Sequence, residues 1–274
     1  MKKILNTFII MLVSLAVFSQ AKDVRKVVDI RPDQFTVANE AFKPYVSQII
    51  ENISTNLKLT KRVKVKVAGN EATAVEANKA NIDWSDPSTW VDATKAAGAD
   101  YSLNGKVSSI KFQQFGGQGY KAKIEFTVNI LDNKTTESIA LMDFTSGGAD
   151  AEIAKSSAFP AALKTTSESQ QDFFKSTFNL RSTILKIDKD SKSGAKLLTI
   201  TAGENAGITK KTMLVVKYIE VIDGFEDESV IATLRPKEIN SRTTKCTVSK
   251  GGKEISNLFD PNNREKLIVE IKNK

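Results

Sequence analysis

The sequence predicts an α+β protein, a mixed α/β domain followed by a small all-β barrel. Three observations predict it. An apolar stripe at three- and four-residue spacing, from Phe42 to Leu57, lies between two β-branched runs. Three alternating runs between Tyr101 and Phe144 are separated by turns rich in Gly, Asp and Asn. Beyond Arg181 only short strands at close spacing remain. The change of character near Asn179–Arg181 sets the expected domain limits at 22–180 and 181–274, after a leader at 1–21.

The leader rests on three parts. Met1-Lys2-Lys3 is a charged start, Phe8–Val13 with Leu15–Phe18 a short apolar middle, and Ser19-Gln20-Ala21 a small-x-small end. A spanning helix needs about 20 apolar residues. This run is shorter and meets the charged Lys22-Asp23 at once. Cleavage after Ala21 leaves 253 of the 274 residues, enough for two ordinary domains. A lipid-modified leader needs a cysteine at the cut, and the single cysteine is Cys246. The expectation is therefore a free periplasmic or secreted product with no lipid anchor and no internal disulfide.

Along the chain, Val24–Ile30 is apolar and β-branched and ends at Arg31-Pro32-Asp33, which predicts a first strand. Glu40–Leu57 places Tyr45, Val46, Ile49, Ile50, Ile53 and Leu57 on one helical face. Arg62–Val67 alternates strictly, as a half-buried strand does. Asn70–Asp83 is polar and Ala-rich with no clear period and reads as a loop with a helical turn. Asp86, Pro87 and Gly98 bracket a short helix, Pro87–Ala97, that buries Trp90. Tyr101–Phe115, Tyr120–Leu131 and Ser138–Phe144 form an antiparallel meander turned at Gly116–Gly119 and Asp132–Thr136. Ala158–Phe178 reads as one helix, with Pro160 near its start and Phe173, Phe174 and Phe178 as its packing end. Ile184–Ile187, Lys196–Ile200, Met213–Ile222, Ser229–Leu234, Lys245–Val248 and Lys266–Ile271 then follow as the barrel's short strands, with Cys246 a small buried residue among them.

The formal charge is +8, or +6 once Lys2 and Lys3 leave with the leader. Lys64, Lys66, Lys121 and Lys123 alternate with apolar residues, as a solvated strand face does. The excess is read as solubility, with weak attraction to anionic lipid or acidic polymers second. An exported protein is not expected to meet nucleic acid.

Two segments carry a family resemblance. Gly98-Ala99-Asp100-Tyr101-Ser102-Leu103-Asn104-Gly105-Lys106-Val107 is followed by the alternating Tyr120–Asp132. This resembles the core of the curli-secretion CsgG superfamily, which includes activators of penicillin-binding proteins of LpoB type and the middle domain of the flagellar H-ring protein FlgT. The resemblance covers roughly 24–180 and implies an anticodon-binding/TolB-N-like α/β domain. Ile200–Val216, with Gly203 and Gly207, is similar to the C-terminal SH3-like barrel of the H-ring protein, although Lys211 stands where that pattern usually has Gly. Ile231–Leu234 and Cys246–Gly252 match that module's later strands. The resemblance implies protein–protein work in the cell envelope and no reaction.

Residues that carry chemistry are sparse. The chain has no His, which removes the commonest general base and most zinc and copper sites. Ser193-Gly194-Ala195-Lys196 spells S-x-x-K, but it precedes a strand rather than opening a helix, and its companion motifs are missing. Asp188–Lys192 begins like a calcium loop and then places Lys192 at a ligand position, so a solvated turn is expected. Asp223–Glu228 is read as a solvated acidic loop and Trp84 with Trp90 as core anchors. Gly116–Gly119 has no following helix to cradle a phosphate.

No catalytic, cofactor or metal residue is assigned, and no cofactor is expected. The expected function is a non-enzymatic exported scaffold or regulator of envelope assembly. Its expected partners are envelope proteins or further copies of itself. The alternatives are a Ser193/Lys196 hydrolase and an oligomeric secretion or pore component.

Overall fold

The computed structural model describes residues 25–67, 98–222, 225–262 and 264–271. The leader, the Asn70–Asp83 loop, the Pro87–Ala97 helix, Trp84, Trp90 and Asp223 lie outside them. The described residues fall into two units, Arg25–Phe178 and one starting at Asn179, each with its own apolar core.

The first unit is a five-stranded sheet in the order β2-β1-β3-β4-β5. Its strands are β1 (Lys26–Val37), β2 (Val63–Val67), β3 (Tyr101–Gln114), β4 (Tyr120–Asp132) and β5 (Ser138–Thr145). β1 pairs in parallel with β2 and β3, and β3–β4–β5 form the expected meander. The apolar side of the meander, Ile124, Phe126, Val128 and Ile130, is buried. β1 does not end at Arg31-Pro32-Asp33. It runs on to Val37 across a break in register between Ile30 and Phe35, where a residue without an N–H costs no ladder bond.

Helix α1 (Lys43–Leu59) buries Val46, Ile49, Ile50, Ile53 and Leu57. Its entry is a 3-10 turn, Glu40–Phe42, capped by Asn39, whose side chain accepts the Ala41 N–H at 2.9 Å. The expected single helix Ala158–Phe178 is instead two, α2 (Lys155–Lys164) and α3 (Ser167–Thr177). The break has a local cause. The hydroxyls of Thr165 and Thr166 donate back to the carbonyls of Ala162 and Leu163, each at 2.7 Å, and close the first helix. Phe174 and Phe178 are buried and Phe173 is half-buried, with Phe173 edge-on to Phe144 at 5.8 Å.

The second unit is a closed barrel ordered β10-β7-β6-β11-β8-β9. Its strands are β6 (Arg181–Lys189), β7 (Leu197–Ile200), β8 (Leu214–Ile222), β9 (Phe225–Ile239), β10 (Thr244–Lys250) and β11 (Leu267–Ile271). Closure leaves no sheet edge at the waist of the barrel. A short helix, α4 (Gly252–Leu258), buries Ile255. The turn at Lys211 works without glycine, because Lys61 and Thr136 are the only non-glycine residues with positive φ among those described. Cys246 is fully buried on β10, and burial pushes its thiol up to about 12, which makes it inert near neutral pH.

Candidate functional site

The Gly98–Val107 segment that carries the family resemblance is architectural. The Asp100 carboxylate accepts the Val27 N–H at 2.7 Å and pairs with the Lys26 amine at 3.3 Å, so it stitches the start of β1 to β3. Asn133, almost fully buried, donates to the Ala99 carbonyl at 3.0 Å and accepts the Ser102 hydroxyl at 2.7 Å. Tyr101 packs on Phe178 at 5.3 Å between ring centres. Gly105 faces Phe35. A Cβ at Gly105 would lie 2.5 Å from that ring and 2.6 Å from the Thr127 carbonyl oxygen.

The end of the β3–β4 hairpin has a different character. Its turn is a 3-10 turn, Gly116–Gln118, closed by a bond from the Phe115 N–H to the Gly119 carbonyl at 2.8 Å. The strap before α2 crosses the hairpin here. Tyr120 and Glu152 exchange backbone hydrogen bonds at 2.6 and 2.8 Å. Gly119, at φ 104°, permits that crossing, since a Cβ there would lie 2.1 Å from the Glu152 carbonyl oxygen.

The crossing lifts apolar side chains into solvent. Ile153 is 93% exposed and Phe115 41%. Lysines stand over the neighbouring rings. Lys121 is 5.1 Å from the Phe115 ring centre, and Lys155 is 5.8 Å from Phe112 and 5.6 Å from Tyr120. Phe112 in turn touches Tyr45 at 5.9 Å, and Tyr45 touches the buried Phe159 at 4.6 Å. The tip is thus an aromatic and apolar patch with a cationic rim, braced from the core. That composition suits contact with another macromolecule. The sequence reading missed it, because Ile153 and Lys155 reach the hairpin from a distant segment.

A second feature lies on the outer wall of the barrel. Arg181, Glu270, Lys217 and Glu228 come from four adjacent strands, β6, β11, β8 and β9, and close a ring of ion pairs. Arg181 Nε meets Glu270 at 3.1 Å, Lys217 meets Glu270 at 2.9 Å and Glu228 at 2.8 Å, and Arg181 also pairs with Glu228. Asn179 donates to the buried Glu270 at 3.0 Å. The hydrogen bond from Lys217, with help from Arg181, holds the Glu228 carboxyl below its usual range. The same carboxylates raise the Lys217 amine. Glu228, expected in a solvated acidic loop, is therefore a β9 strand residue inside this ring. Beside it an open groove of about 640 Å³ is lined by Arg181, Thr183, Ile219, Glu220, Val221 and Ile268, among others.

The other sequence candidates are accounted for locally. The Ser193 hydroxyl sits 3.0 Å from that of Ser191, within the turn before β7. Among the described residues no hydrogen bond joins it to the Lys196 amine. Asp188 pairs with Lys186 at 2.8 Å, and Asp190 accepts from the Ser191 N–H at 2.8 Å and the Ser256 hydroxyl at 3.0 Å. These carboxylates are taken up by protein donors. Among the described residues no group of three metal-ligating side chains occurs. No helix among them is long and apolar enough to cross a membrane.

Residues 45–139 match the model of the family "Peptidoglycan-synthase activator LpoB". No curated protein matches the chain. Three of the similar solved structures are a PelC dodecamer from Paraburkholderia phytofirmans, the C-terminal domain of LpoB from Salmonella enterica and TolB from Acinetobacter baumannii. The first is 15% identical with a TM-score of 0.37, covering 54% of this chain and 91% of that one. The second is 12% identical with a TM-score of 0.30, covering 50% and 93%. The third is 12% identical with a TM-score of 0.30, covering 81% and 57%. All three likenesses are too weak to assign a role to this chain.

Proposed function

We propose that this chain is an LpoB-like, non-enzymatic envelope regulator that contacts a peptidoglycan synthase through the end of the β3–β4 hairpin. The family match over residues 45–139 carries the reading, because that span contains all but the first two residues of α1, then β2, β3, β4 and the turn of the hairpin. The chemistry of the tip supports it. Exposed Phe115 and Ile153 supply apolar anchors, and Lys121 and Lys155 supply a rim that favours an acidic partner surface. Export by the residue 1–21 leader would deliver the chain to the compartment where such a synthase works. The lack of any Ser193–Lys196 contact among the described residues gives the hydrolase alternative no support.

The test uses residues 22–274 and the bifunctional peptidoglycan synthases of the same organism. Binding is read by biolayer interferometry and glycan polymerisation from labelled lipid II. The expected result is binding with faster polymerisation. The Phe115→Asp, Ile153→Asp double variant should bind at least about thirtyfold more weakly at unchanged melting temperature, the loss of roughly one hot spot. A wild-type protein that neither binds nor stimulates any of those synthases sinks the reading.

A further inference from the structure

The barrel is closed only up to the height of β11. β11 pairs with β8 from Ile271↔Leu214 to Leu267↔Tyr218, and with β6 from Glu270↔Arg181 to Ile268↔Thr183. Both neighbours run further. β6 continues to Lys189 against β7 alone, and β8 continues through Ile219–Ile222 against β9 alone. The wall between β6 and β8 is therefore open above Leu267. The 3-10 turn Arg264–Lys266 stands at the foot of the opening. The 640 Å³ groove lies there, lined by Tyr218–Val221 on one side and by Arg181, Thr183, Glu265 and Lys266 on the others.

Antiparallel pairing turns alternate backbone N–H and C=O groups of a strand away from its partner. Along Ile219–Ile222 those outward groups face the line that β11 occupies lower down, and no strand among the described residues takes them up. A two-stranded ribbon is marginal alone, and an open edge is a template for another strand. Val221, 66% exposed, adds apolar surface beside that edge.

We propose that this edge of β8 is a strand-addition site for an extended, basic segment of a partner protein, laid in the groove along the line of β11. The charge decides the occupant. Glu220 and its cross-strand partner Asp227 lie on the ribbon and Glu265 faces the groove; of the groove's cations Arg181 is already paired with Glu270 and Glu228, which leaves Lys266, and no Lys or Arg occurs between Tyr218 and Arg235. Lysines or arginines at every second position of the added strand would stand opposite Glu220 and Glu265. The β-branched residues between them would cover Ile219 and Val221.

The experiment uses residues 22–274 and three peptides: a ten-residue Lys/Val alternating peptide, its Glu/Val counterpart, and the Lys/Val peptide N-methylated at alternate residues. Binding is read by fluorescence anisotropy and by hydrogen exchange at Ile219–Ile222. The Lys/Val peptide should bind and slow exchange there at least tenfold. The Glu/Val peptide, the N-methylated peptide and the Glu220→Lys protein should each lose at least tenfold in affinity. Equal binding of the N-methylated peptide overturns strand addition, and equal binding of the Glu/Val peptide overturns the charge assignment. A concentration-dependent dimer that Val221→Lys abolishes would instead make a second copy the occupant. The Phe115→Asp, Ile153→Asp variant should retain peptide binding, so failure here and failure of the synthase reading are separable.

Discussion

Gly105 shows how closely one position can be determined. The Phe35 ring crosses β3 where any side chain would stand, and the Thr127 carbonyl closes the other side. Gly105→Ala should therefore destabilise the first unit by about 1–3 kcal/mol, read as a lower melting temperature. Gly117→Ala, at a turn position where an added Cβ meets nothing within 4 Å, is the matched control and should be nearly neutral. Gly105 stood out in the sequence only through the family resemblance. What it makes room for was hidden, because Phe35 lies far off in the chain and the register break after Ile30 sets their pairing. Asp100 and Asn133 are alike in this. They are polar residues in a loop and a turn whose work is to tie backbone together across the sheet.

Elements with a strong internal period were legible. The α1 stripe and the β3–β4–β5 meander have bounds close to those expected, since one face of each is continuously apolar. Elements decided by side-chain bonds to backbone were not, and the α2–α3 break at Thr165 and Thr166 is such a case. The hairpin tip and the ion ring were illegible for another reason. Each is assembled from segments far apart in sequence, the hairpin tip with the strap at Ile153, and Arg181 with Glu270. The ion ring makes a prediction that belongs to four strands together. The depressed Glu228 contributes stability that is full above the ordinary carboxylate range and is lost as pH falls through its lowered value. The raised Lys217 contributes stability that is full below the ordinary lysine range and is lost as pH rises through its raised value. The stability gap between wild type and Glu228→Gln should thus be widest near neutrality and narrow toward both extremes. Urea unfolding across pH measures it, and a gap independent of pH would count against the ring.

The molecule carries two cores that share no residue, one running from Val28 to Phe178 and one from Leu180 to Ile271. Calorimetry should resolve two unfolding transitions. Ile53→Ala should lower only one of them, by about 2–5 kcal/mol, and Leu198→Ala only the other. A single transition moved equally by both substitutions would mean that the units unfold as one. The position of β11 has a further consequence, which concerns time. β6, β7, β8, β9 and β10 can pair in sequence as the chain is made, but the ring they belong to stays open until residues 267–271 arrive and slot between β6 and β8. Until then β6 and β8 expose edges over their full length, and any chain stopped short of Leu267 keeps them exposed. The ring can close only when residues 267–271 are in place, so a chain truncated before Leu267 should be cut by protease within the barrel at least tenfold faster than the full chain, as limited proteolysis would show.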